Sequence, residues 1–167
     1  VALGLEQAIA ELLAAPPGTF PPGSFGGLYD DATPANRVIF VGEQPEIRPE
    51  DADPLPDLTI TVFPDGGDAP RLTLEETWSI TIHTRHPSYQ TAMSTARDIS
   101  DLLNQNGGAG LNRYAQSPIG TTGGGIRVTL ISADFPVTRL GRDTDGSDGR
   151  FIAMQTFTVK TPRFSFI

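Results

Sequence analysis

The sequence predicts an α+β fold: a largely antiparallel (mixed) sheet of about five strands, a long helix packed on one face, a short N-terminal helix, and extended Pro/Gly-rich arms or loops. Three observations predict it. Within Glu76–Asn104 a period of two, characteristic of a sheet with one packed face, gives way to a helical period within three residues. Other short apolar or alternating segments lie on both sides of that stretch and supply further strands. Finally, 18 Gly and 15 Pro in 167 residues place much of the chain outside regular structure. That length suits one domain with one well-buried core, read as a helix over 1–15, loops or an arm over 16–57, and an α/β core over 58–167.

The first element is an amphipathic helix over residues 3–14. Leu5, Ile9, Leu12 and Leu13 share a face that Glu6 and Glu11 avoid, and Pro16-Pro17 end it. Residues 16–34, PPGTFPPGSFGGLYDDATP, exclude helix and central strand because proline lacks the N–H that either would use. The stretch is a surface loop or an arm wrapping a neighbouring subunit. The arm accounts for Phe20, Phe25, Leu28 and Tyr29, apolar side chains that gain by burial against a partner.

Arg37–Val41 is a short apolar strand between Asn36 and Gly42. The connection over 43–57 carries Glu43, Glu46, Glu50, Asp51, Asp53 and Asp57 among prolines. Cation loops need a tight turn that converges their oxygens, whereas prolines splay them, so a solvated loop is expected. Leu58–Phe63 alternates as a second strand, residues 64–67 turn the chain, and Leu72–Arg85 forms the third and longest strand, with Trp78, Ile80 and Ile82 on one side.

After His86-Pro87 the helix begins. Tyr89, Ala92, Met93, Ala96, Ile99 and Leu103 fall on one face; Gln90, Thr95, Arg97, Asp98 and Asp101 look outward. Ser88 is the expected N-cap and Gly107 the expected stop, for a helix of about 16 residues or roughly 24 Å. A Gly-rich segment, 107–125, precedes a strand over Arg127–Ala133. Phe151–Lys160 is its antiparallel partner, with the intervening residues bulging out as a connection.

A net charge of −8 has the wrong sign for gripping phosphate backbones or anionic membranes, and no apolar run approaches the ~20 residues of a transmembrane helix. The expectation is a soluble protein without a signal peptide. With no cysteine, disulfides, thiolate nucleophiles and thiolate metal sites are excluded together.

GTTGGG at 120–125 resembles a dinucleotide fingerprint in letters only, since it precedes a strand and no helix N-terminus follows. His83 and His86, with Asp98 nearby, invite a metal or proton relay, yet residues three apart on a strand point to opposite faces. No Gly-x-Ser-x-Gly elbow occurs. The loop Asp143-Thr-Asp145-Gly-Ser-Asp148-Gly149 fails the calcium-loop pattern at Ser147, Asp148 and Met154, and reads as a turn. No catalytic residue, cofactor or metal ligand is assigned.

Read with its flanks, that loop is more informative. Leu140, Gly141, Arg142 and Asp143, then Gly149, Arg150 and Phe151 opening an alternating strand, resemble the C-terminal hairpin of tailed-bacteriophage tail terminator and minor capsid (head–tail completion) proteins. A strand ending near Arg85, the aromatic Tyr89 and an Ala-rich helix closing on Asp101-Leu102-Leu103 are similar to that family's other half. The resemblance covers residues 74–104 and 126–161. It implies a structural virion protein of the head–tail neck, assembled in the host cytoplasm as a homo-oligomeric ring, commonly of about six subunits. Its partners would be the tail tube protein and the head–tail connector protein, and DNA would pass through the lumen without specific binding. Within this reading Arg142, Asp143 and Arg150 form a polar rim between subunits or rings, with Phe20 and Phe25 on the arm. The alternatives are another connector component, a stopper or adaptor, or a monomeric ligand- or calcium-binding module or small enzyme using the Gly-rich loops and the 143–149 carboxylates.

Overall fold

A computed structural model describes residues 4–14, 25–28, 38–42, 56–67, 75–104, 126–142 and 149–162. In order these form α1 (Leu5–Ala14), β1 (Ile39–Val41), β2 (Thr59–Gly67), β3 (Glu75–His86), α2 (Tyr89–Leu103), β4 (Leu130–Ala133), β5 (Thr138–Arg142) and β6 (Phe151–Pro162). The fold is α+β, with a mixed six-stranded sheet in the order β1-β2-β3-β6-β4 and β5 also on β6. Among the described strands only the β1–β2 pair is parallel.

The spine is the antiparallel pair β3–β6, in register from Glu75↔Pro162 to His86↔Phe151. The alternating core residues Ile80 and Ile82 on β3 and Phe157 and Val159 on β6 favour this register, because a one-residue slip would turn them to the other face. Ile80, Ile82, Phe157 and Val159 are thereby buried together with Ile60 and Val62 of β2 and Ile39 of β1. Both helices cover this one face. α1 lies on β1 and β2, burying Leu5, Ile9, Leu12 and Leu13, and α2 lies on β3 and β6, burying Ala92, Met93, Ala96, Ile99 and Leu103.

The α2 cap is the expected one: Ser88 is extended (φ −91°, ψ 124°) and its hydroxyl accepts from the Thr91 N–H at 3.4 Å. The C-terminal stop is not at Gly107, which lies outside the described residues. The helix ends at Leu103, and the Asn104 N–H, at an extended φ of −77°, donates back to the Ser100 carbonyl. Trp78 lies on the expected face of β3 with Ile80 and Ile82 but remains 40% exposed, and it donates from its indole to Thr161 Oγ1 at 3.2 Å.

Three features of the strands depart from the sequence reading, the first being that β4 begins at Leu130 rather than Arg127. Residues 64–67 do not turn the chain but continue β2 through a bulge between Pro64 and Gly67, with Gly66 at φ 97°. Moreover, the segment expected as a connection between β4 and β6 contains a sixth strand, β5. β4 pairs the C-terminal half of β6 and β5 its N-terminal half, so together they form one interrupted edge. Pro136, lacking an N–H, marks the break. Gln155 spans it by donating its side-chain amide to the Phe135 carbonyl at 2.8 Å, while the Asp134 N–H bonds the Thr156 carbonyl at 2.9 Å.

The face away from the helices is polar at its centre. Thr59, Thr61, Thr81 and Thr156 are buried there. Thr81 donates to Asp65 Oδ2 at 3.2 Å and accepts from Thr156 Oγ1 at 2.9 Å, so a buried hydroxyl pair stands where a second apolar layer would otherwise be needed.

Candidate functional site

Among the described residues β5 is an outer strand of the sheet. It pairs with β6 on one side, and its residues are exposed except Gly141, which is half-buried. Arg139 faces Ala153 across the ladder and Gly141 faces Ile152, so Leu140 falls in a bulge with no residue opposite it. Gly141, at φ 128°, takes a backbone conformation that a side chain would strain. The bulge turns Leu140 outward, where it is 51% exposed.

Beside it lies a cluster of two arginines and two aromatic rings. The rings of Tyr89, at the start of α2, and Phe151, at the start of β6, meet edge-on with centroids 5.9 Å apart. The Arg139 guanidinium stands 5.6 Å from both centroids, and that of Arg142 5.0 Å from Phe151. Arg142 also donates from Nε to the Gly149 carbonyl at 2.5 Å. Ring faces attract guanidinium groups electrostatically, and these contacts hold both arginines in place while leaving outward N–H groups solvated. Tyr89 itself stays 43% exposed. The result is a cationic and partly aromatic patch on a chain whose net charge is −8.

The proposed rim residues divide. Arg142 is exposed on the patch, as an interface residue requires. Arg150 is not on a rim: it is 4% exposed and lies on the face away from the helices, where Nη1 donates to the Pro56 carbonyl at 3.3 Å and Thr59 Oγ1 at 3.2 Å. Its role is internal, fastening the entry of β2 to that of β6. Phe25 also belongs to its own chain, packing half-buried on the core with its N–H bonded to the Leu13 carbonyl at 2.9 Å. The neighbouring Gly26, at φ 146°, is required because a Cβ there would stand 2.6 Å from the Val38 side chain. Leu28 extends this contact through a parallel bridge to Ile39. Asp143 and Phe20 lie outside the described residues. So do the 120–125 glycines, the acidic loop over 143–148 and, save Asp57, the acidic residues of 43–57.

The two histidines stand apart on β3. His86 Nδ1 accepts the Ser88 N–H at 2.9 Å and so shapes the turn into α2. His83 is on the other face, edge-on to Phe63 at 4.8 Å. Burial, aided by the Arg85 charge and opposed by Asp65, lowers its pKa from 6.5 to about 4, so the ring is neutral near pH 7. Among the described residues no three His, Asp or Glu side chains gather as a metal site would need, and no helix is long and apolar enough to cross a membrane.

Arg139, Leu140 and the seating of Tyr89 beside them were missed by the sequence reading. The available signal was the pattern Pro136-Val-Thr-Arg-Leu-Gly-Arg142, in which a chain-breaking proline is followed by an extended run closing on glycine.

No family model matches this chain, and no curated protein does. Among the solved structures that match, one aligns over 81% of this chain and 86% of its own at 10% identity and a TM-score of 0.43, a likeness too loose to support an argument about function.

Proposed function

We propose that this protein is a structural subunit of a homo-oligomeric ring that terminates the tail tube of a tailed bacteriophage and joins it to the head connector. The supporting observation is the β5 edge: an outer strand with Leu140 half exposed beside Arg139, Arg142 and Tyr89. A large apolar side chain left half exposed among arginines is the composition of a contact surface. A ring needs heterologous contacts of this kind, in which one surface meets a different one on the next copy. The ring would stand at the head–tail neck of the virion, against the tail tube protein and the connector, with DNA threading a lumen that the acidic chain does not grip.

The test is the mass and shape of the purified chain, by light scattering and negative-stain electron microscopy, alone and with tail-tube or connector protein. Closed rings with a central hole are expected, and Leu140→Glu should shift the distribution toward monomer. A wild-type chain that stays monomeric at high concentration and with either partner present would refute the proposal.

A further inference from the structure

The β5 patch has a charge and shape that restrict what can cover it. Thr138–Arg142 contains two arginines and no acid. The bulge at Leu140 interrupts the edge ladder, so a straight strand cannot be added along β5 and a partner must engage side chains. Those side chains ask for two things. Arg139 and Arg142, held against the rings, favour carboxylates, and the exposed flank of Tyr89 favours a flat apolar group such as a proline ring.

The chain carries one stretch with that composition. Residues 43–57, EQPEIRPEDADPLPD, hold six carboxylates against a single arginine, with four prolines interspersed. We infer that the β5 patch is the docking surface for the 43–57 stretch of a second copy of this chain. The inference rests on the ring reading in requiring self-association, and it supplies the two unlike surfaces that a heterologous contact needs.

The occupant is placed on another copy because of where the stretch ends. Pro56 is tied by its carbonyl to Arg150 on the sheet face away from the helices, whereas Arg139, Tyr89 and Phe151 lie on the helix-covered face. A second copy can present its stretch to the helix-covered face, opposite the face on which this chain's own stretch ends.

The experiment uses the full chain and a fluorescent peptide of residues 43–57, followed by anisotropy at low salt. Binding should weaken about tenfold or more in the Arg139→Ala/Arg142→Ala variant, and also in wild type as added salt screens the charges. A peptide with its six acids changed to amides should not bind. Both arginines are exposed, so circular dichroism should report an unchanged fold. Equal binding to variant and wild type, or no binding to either, overturns the inference, as does preferential capture of a single-stranded oligonucleotide used as a polyanion control. Peptide binding seen only after the chain's own 43–57 acids are neutralised, in a chain that remains monomeric, places the contact within one copy and also overturns it. Rings that persist unchanged in the double variant overturn the docking but leave the ring reading standing. A wild type that forms only dimers, abolished by that variant, upholds the docking and refutes the ring.

Discussion

His83 should make the stability of this fold depend on pH in a window where an ordinary surface histidine would not. Its ring is held in a partly desolvated place beside Phe63 and near the Arg85 charge, with Asp65 opposing only in part, and its pKa is lowered from 6.5 to about 4. The unfolded chain therefore takes up a proton first as the pH falls. The stabilisation is complete above about pH 6.5 and is lost as the pH descends through about 4. A displacement of that size corresponds to at most about 3.5 kcal/mol, at about 1.4 kcal/mol per pKa unit. Because the ring keeps some contact with solvent, screening reduces the expected effect to about 1–2 kcal/mol. The assay is urea unfolding followed by Trp78, the single tryptophan, at pH 7 and at about pH 4.5, for wild type and His83→Gln. Carboxylate titration contributes to both proteins alike, so the difference isolates the histidine. Wild type should lose about 1–2 kcal/mol more than the variant on acidification. Parallel losses would refute the assignment.

Other substitutions test the architecture. Arg150→Ala strips partners from the Pro56 carbonyl and the buried Thr59 hydroxyl and should cost about 2–3 kcal/mol in urea unfolding, whereas Arg142→Ala on the exposed patch should change stability by less than about 0.5. Equal costs would contradict the internal role of Arg150. Phe157→Ala, fully buried where β6 meets both β3 and β4, should cost about 3–5 kcal/mol by the same measurement. Ser88→Ala should cost about 1 kcal/mol in thermal or urea unfolding, with Ser88→Asp restoring most of it, since the cap needs an acceptor for the Thr91 N–H.

Legibility in the sequence followed the range of the interactions. α1 and α2 could be read because their apolar faces repeat every three or four residues and their ends carry local signals, Pro16-Pro17 after the first and Ser88 before the second. β3 and β6 could be read because each alternates with one face in the core. β5 could not. Its inward position is Arg139, which covers aromatic rings instead of filling the core, and the bulge at Leu140 breaks the alternation that marks a strand. The candidate patch was invisible for the same reason, since Tyr89 lies on the apolar stripe of α2, and its place at the first residue of the helix, beside Phe151 and Arg139 but still exposed, is a tertiary outcome.

Arg142 and Arg150 mark the boundary between the two kinds of knowledge. By itself the sequence determined an α+β chain with two amphipathic helices, a long alternating strand pair and a surplus of negative charge, because composition and period are properties of the chain. Which of the two arginines meets solvent was decided by the tertiary structure alone. Arg150 finds its acceptors 94 and 91 residues away, at Pro56 and Thr59, and a charged group is buried only where such distant partners are brought to it.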